Sequence, residues 1–334
     1  MGINQAIVRT TVTGYTPNYG TRWNNYTVYD TGMYSSTHGA ITSNGLQYVG
    51  VGRASGTLYN IIYSVSGDIN TWGKAAISGS LNNFNGKGIA YGAGLFVAVG
   101  AGNTTFTVIT SSDGVNWTSR SAVAGSYQSV CWTGTSFIAV GSNVAMTSPD
   151  GITWTSRTCP AMAWNKVNHN GSGTILAAAY NNLTAIMKST DDGASWAQIA
   201  TPDNGAGFGA VAYGPGKWLA MGEAGTVRAM TSIDNGDTWT LAGDATVNAG
   251  GWRDIVWSGV AYAVVGISGT DRFMYSTTGN ASTWIPVTTP IGPQSTYGAW
   301  AAITRWESKL MCLAAGGSSA GQTPNVIGSP PFIT

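Results

Sequence analysis

One stretch, which the chain carries twice in full, constrains its fold more than any other feature. Ser189-Thr190-Asp191-Asp192-Gly193-Ala194-Ser195-Trp196 and Ser232-Ile233-Asp234-Asn235-Gly236-Asp237-Thr238-Trp239 both read Ser-x-Asp-x-Gly-x-Ser/Thr-Trp. Shorter copies stand at Ser111-Ser112-Asp113-Gly114-Val115-Asn116-Trp117 and Ser148-Pro149-Asp150-Gly151-Ile152-Thr153-Trp154. Two looser ones, Ser64 to Trp72 and Ser276 to Trp284, keep the serine, a glycine and the closing Thr-Trp without an aspartate ahead of the glycine. The tryptophans fall at 72, 117, 154, 196, 239 and 284, in steps of 45, 37, 42, 43 and 45 residues. That period is the length of a four-stranded propeller blade.

The chemistry of the stretch is that of a tight turn between strands. Asp and Ser oxygens accept backbone N–H groups a few residues on, and Gly adopts backbone angles that other residues resist. The tryptophan is then expected to start the next strand and bury its apolar body. The pattern resembles the Asp-box, or BNR repeat, of sialidases, some glycoside hydrolases, sortilin-like receptors, a photosystem assembly factor and many tailed-phage virion proteins. The resemblance implies a structural turn between the third and fourth strands of each blade, formed here by Asp113 and Trp117, Asp150 and Trp154, Asp191 and Trp196, and Asp234 and Trp239.

Composition agrees with an all-β chain. The 47 glycines and 14 tryptophans suit tight turns between short strands that stack large rings. Two glutamates, Glu223 and Glu307, and six lysines are too few for exposed helices laced by Glu–Lys pairs. Charged residues are 9% with a net charge of +1, which marks neither a nucleic-acid surface nor an anionic-membrane surface. No signal peptide, myristoylation signal or membrane-spanning run is visible. Cys131, Cys159 and Cys312 are widely spaced and read as small buried apolar residues.

The whole chain, 1–334, is expected to form one seven-bladed propeller of four-stranded antiparallel blades. Blades are placed at about 38–76, 86–121, 127–158, 164–200, 208–243, 252–288 and 299–334. The last lacks its tryptophan, whereas Gly20-Thr21-Arg22-Trp23 matches Gly114-Val115-Asn116-Trp117. A strand within 18–28 therefore completes the final blade and closes the ring, which removes open sheet edges.

Aligning the innermost strands on Ile41, Ile89, Val130, Val167, Val211, Ile255 and Ile303 exposes candidate site residues. Neighbours of these anchors are mostly small, as a crowded wall around an axis requires, except Lys166 and Asn168 in the fourth blade and Asp254, preceded by Arg253, in the sixth. A ligand site and a simple charge pair across the channel are both readings of that cluster. Three residues before the anchors stand His38, Tyr127, Trp164, Phe208, Trp252 and Trp300; two after stand Tyr91, Trp132, His169, Tyr213 and Trp257, with Ser43 and Arg305. Such rings either stack on sugars and partner surfaces or pack neighbouring blades.

No metal, cofactor or nucleophile motif appears, and the histidines lack partners at ligand spacing. The sialidase pattern of an Arg-Ile-Pro near the N-terminus is missing, and the two glutamates fall at apparent turns. The resemblance thus implies a non-catalytic tailed-phage virion protein, a tail-fibre, tail-tip or head-decoration component. It would contact host-surface glycans or other virion proteins, as a monomer or homo-oligomer. A soluble propeller lectin with repeated sugar sites is the alternative, and a glycoside hydrolase of sialidase-like fold a further one.

Overall fold

The computed structural model describes residues 24–27, 39–52, 61–64, 72–75, 84–100, 107–179, 185–202, 207–224, 226–242, 247, 250–268, 273–287, 299–306, 309–315 and 325–328. Its strands gather into seven four-stranded sheets, and every pairing is antiparallel. Six blades are each built from four consecutive strands; the third, for example, runs Tyr127–Trp132, Phe137–Gly141, Val144–Ser148 and Thr155–Arg157. The remaining sheet is assembled from both ends of the chain. Its order is Ala299–Trp306, Lys309–Ala315, Asn325–Gly328 and, outermost, Asn24–Thr27, with Asn24 opposite Gly328 and Thr27 opposite Asn325.

The first strands of consecutive sheets touch each other all the way round, so they enclose a common axis. These are Ala40–Ser43, Gly86–Gly92, Tyr127–Trp132, Trp164–His169, Ala210–Gly214, Gly251–Trp257 and Ala299–Trp306. Second strands such as Phe137–Gly141 and Ile175–Ala179 are short uninterrupted apolar runs, and both are buried along their whole length. The core is accordingly divided among the spaces between neighbouring blades. Ile41, Tyr48 and Ile62 pack on Ala302, Met311 and Leu313, which joins the first blade to the composite one.

The four repeated turns share one hydrogen-bond plan. In the second blade, Gly114 N–H donates to Ser111 Oγ (2.8 Å), and Val115 and Asn116 N–H donate to Asp113 Oδ1 (2.9 and 2.8 Å). The Trp117 indole N–H turns back to the Gly114 carbonyl at 3.0 Å. Trp154, Trp196 and Trp239 make the same bond to Gly151, Gly193 and Gly236, each 3.1 Å long. These glycines hold φ between +71° and +90°, and a Cβ on Gly193 would press on Ile138 at 2.9 Å. The donors hold the turn carboxylates below the usual Asp range: backbone N–H groups lead at Asp113 and Asp150, hydroxyls at Asp191 and Asp234.

The repeat tryptophan does not start the fourth strand of every blade, as its sequence position suggests. The tryptophan begins the fourth strand only in the first blade, at Trp72. Elsewhere the strand starts one residue later, at Thr118, Thr155, Ala197, Thr240 and Ile285. In the four aspartate-bearing turns the reason is visible, because the indole bond back to the glycine makes the tryptophan the last residue of the turn.

Candidate functional site

The site grows from an irregularity that recurs at the start of the inner strands. Pairing with the second strand skips one residue between Gly86 and Gly88, Tyr127 and Ser129, Trp164 and Lys166, Trp252 and Asp254, and Trp300 and Ala302. The skipped residues are Lys87, Gln128, Asn165, Arg253 and Ala301. A bulge re-aims the side chain it carries. Lys87, Gln128, Asn165 and Arg253 all line one small pocket of about 60 Å³, together with Lys166, Asp254 and the small residues Gly39, Gly88 and Ser129.

Lys166 and Asp254 meet there. Lys166 Nζ lies 2.7 Å from Asp254 Oδ1, the ammonium side chain 27% exposed and the carboxylate 5%. The ion pair reaches from the fourth blade to the sixth, and the fifth carries the small residues Gly209 and Ala210 at the matching repeat positions. Asp254 also accepts its neighbour's N–H, from Ile255 at 2.9 Å, and that of Ile303 in the next blade at 3.1 Å. Ser129 occupies the same repeat position and does the same task, accepting Val167 N–H across a blade boundary at 3.2 Å. Asp254 is therefore both a blade link and the anionic end of the charge pair. Arg253 pairs with Glu223, both largely buried.

The two amides are fixed by one hand each. Asn165 Nδ2 donates to the Gly209 carbonyl at 2.9 Å, and Gln128 Nε2 to Ser126 Oγ at 3.2 Å. Asn168, on the same strand, ties the fourth blade to the fifth by donating to the Val211 carbonyl at 3.3 Å.

Of the two readings open to the aromatics at this end, packing holds for those whose side chains are described. Tyr127, Trp164, Phe208 and Trp252 are fully buried. Trp164 and Trp252 donate their indole N–H to the Pro160 and Val247 carbonyls at 2.8 and 2.7 Å. They sit in the cores between blades, so their faces are covered by protein. Trp300 is the second residue of the composite blade's inner strand, at its bulge, and His38 lies outside the described residues.

The second ring stands at the other end of the inner strands and is half-buried. Tyr91, Trp132, Tyr213 and Trp257 lie directly opposite Phe96, Phe137, Trp218 and Tyr262 on the second strands, with ring centroids 4.5 to 5.1 Å apart. They wedge between blades: Trp132 covers Gly92 so closely that a Cβ there would collide with the indole. Arg305 is exposed and covers Gly259 in the same way. His169 accepts Gly171 N–H at Nδ1, 3.2 Å away, and burial pushes its pKa down against the opposing pull of Asp192.

That end is also clasped. Thr133 and Thr135 of the third blade donate to Asp192 of the fourth (2.7 and 2.8 Å), Asn170 of the fourth donates to Asn235 of the fifth (2.9 Å), and Lys217 of the fifth to Asn280 of the sixth (2.5 Å). The cysteines are free thiols, and burial pushes Cys131 up to about 12. Among the described residues, no group of three His, Cys, Asp or Glu could hold a metal. No described helix is long and apolar enough to cross a membrane.

Lys87, Gln128 and Asn165 escape a reading of the sequence by strict alternation, because the bulge shifts the face on which they lie. The available signal was a polar residue two places ahead of the anchors Ile89, Val130 and Val167.

Residues 66–208 match a family described as the DUF6242 beta propeller domain. A search of curated proteins found no match. Among solved structures, YCF48 bound to D1 peptide superposes with a TM-score of 0.68 at 14% identity, covering 96% of this chain and 97% of that one. YCF48 from Cyanidioschyzon merolae gives 0.67 at 13%, covering 92% and 98%. Virginiamycin B lyase from Staphylococcus aureus gives 0.68 at 11%, covering 92% and 98%. At these identities the likeness is one of architecture, and the chain is a β-propeller.

Proposed function

We propose that the chain is a non-catalytic binding propeller that reads glycan on a host surface through the pocket at the bulged end of its axis. The observation that carries this reading is the recurrent bulge, which turns Lys87, Gln128, Asn165 and Arg253 into one cavity. The corresponding residues of the other three blades are Gly39, Gly209 and Ala301, so the polar groups form one asymmetric site rather than a set of equivalent ones. Asymmetry favours a single-site binder over a lectin with repeated sugar sites.

The setting we favour is the surface of a tailed-phage virion, as a tail-fibre, tail-tip or head-decoration protein. Two things support it: the likeness of the repeated turn to the Asp-box of phage virion propellers, and a charge-poor sequence rich in Ser, Thr, Asn and Gly. The test is binding of the purified chain to a broad glycan array and to intact bacterial cells, beside a Gln128→Ala/Asn165→Ala double variant with its fold checked by melting. Saturable binding that the folded double variant loses is the expected result. A chain that binds no glycan and no cell surface overturns the reading.

A further inference from the structure

A larger cavity lies at the hairpin end, where the fourth blade departs from its neighbours. In four blades a ring near the end of the inner strand faces a second ring on the next strand: Tyr91 on Phe96, Trp132 on Phe137, Tyr213 on Trp218 and Trp257 on Tyr262. In the fourth blade the same pair is His169 on Ile175. An imidazole and a butyl group fill less space than two large rings. A pocket of about 380 Å³ lies there, bounded by the hairpins of the third and fourth blades and by the turn residues Thr190, Asp191 and Asp192. That volume falls in the range of small-ligand sites, about 300–1,000 Å³. Gly171 and Gly173 on its rim have nothing within 4 Å of where a Cβ would stand, so that side is open.

The wall offers one defined donor and one defined acceptor. His169 Nδ1 accepts the Gly171 N–H at 3.2 Å, so the neutral ring carries its proton on Nε2. Burial keeps the ring neutral by pushing its pKa down, against the pull of Asp192. Among the described residues nothing takes the Nε2 proton. Asp192 is the acceptor. Burial works to raise its pKa, yet the hydroxyls of Ser136, Thr133 and Thr135 hold it below the ordinary range, and the carboxylate is ionised. Thr133 and Thr135 give one hydrogen bond to each oxygen, and a carboxylate with about four acceptor sites has room for a further donor. Asp191 is committed to its own turn by the Ser195 N–H and hydroxyl, at 2.9 and 2.5 Å. Ile175, buried, supplies an apolar patch.

These groups select the ligand's chemistry. An anion would meet two carboxylates and no lining cation. A cation would leave the His169 N–H against a group with nothing to accept it. A hydroxyl both donates and accepts, so adjacent hydroxyls on one ring serve Asp192 and His169 together while the ring's C–H groups lie on Ile175. We infer that the pocket between the third and fourth blades binds a neutral saccharide unit, through adjacent hydroxyls that donate to Asp192 and accept from His169. This second site extends glycan binding to the opposite face of the propeller, and it holds or fails independently of the axial pocket.

The chain has two histidines, His38 and His169. Its imidazole C–H NMR spectrum therefore holds two sets of signals, and a His169→Gln variant identifies one of them. The full chain is titrated with the methyl glycosides of glucose, galactose and mannose, with their fully O-methylated derivatives, and with methylguanidinium. The expected result is a saturable shift of the His169 signals by one or more glycosides that the O-methylated forms do not reproduce. Asp192→Asn should weaken that binding about tenfold. The fold accommodates the change, since Asn235 stands at the matching position of the fifth blade with a similar backbone, φ +64° against +57°. The Gln128→Ala/Asn165→Ala variant should bind at His169 as the parent does, which separates this site from the axial one. His169 signals that no glycoside moves, that O-methylated sugars move equally, or that methylguanidinium alone moves overturn the inference, as does parent affinity in Asp192→Asn. None of these results bears on the axial pocket, which the array and its own double variant decide.

Discussion

The two ends of the inner strands are made from the same repeat and behave as opposites. At the hairpin end, aromatic residues wedge between blades and turn residues clasp the next blade, through Thr133 and Thr135 to Asp192 or Asn170 to Asn235. At the other end the ladder bulges, and four polar side chains are released toward the axis. Rigidity is supplied by one end so that the other can vary from blade to blade. Loop-borne or bulge-borne groups on a tied scaffold are where binding residues accumulate.

The contrast can be broken most forcefully at Trp252. It lies beside the pocket in sequence but is fully buried, so Trp252→Ala should cost about 3–5 kcal/mol in a urea unfolding titration. A variant of near-parent stability that had lost only binding would make Trp252 a ligand platform after all. Asp254→Ala sharpens the comparison from the pocket side, by stranding Lys166 and the Ile303 N–H. It should cost about 3 kcal/mol; a loss near zero would mean that Asp254 does not link the sixth blade to its neighbour.

Acid probes the hairpin end with the smallest effect. The turn carboxylates Asp113, Asp150, Asp191 and Asp234 have folded pKa values below their ordinary 3.8. A depressed carboxylate contributes stability above its unfolded pKa and loses it as pH falls through the folded one. The unfolding midpoint should therefore hold from neutrality to about pH 5 and decline below about pH 4. Replacing all four by Asn should flatten that decline, and an unchanged slope would remove the turns as its source.

What the sequence disclosed followed the range of the interactions involved. The Ser-Asp-Gly-Trp turn is legible because its hydrogen bonds close within four residues, as Asp113 to Asn116 and Trp117 to Gly114 illustrate. The composite sheet was legible too, because a turn missing at one end of the chain had its counterpart at the other. The role of Trp164 and Trp252 stayed open in the sequence because a repeated aromatic looks alike whether it faces a ligand or a neighbouring blade, and packing across blades decides which. Lys87, Gln128 and Asn165 were missed because alternation presumes an unbroken ladder. Lys166 with Asp254 was found because a charge among small residues is conspicuous without any geometry.

The composite sheet also sets an order of events during synthesis. Asn24–Thr27 leaves the ribosome roughly 300 residues before its partner Asn325–Gly328, a wait of about 15–60 s at usual elongation rates. Through that interval its native partner strand does not yet exist, whereas the six consecutive blades need only their own strands to form. Its docking completes the composite sheet, so the first of the described strands to be made waits for the last.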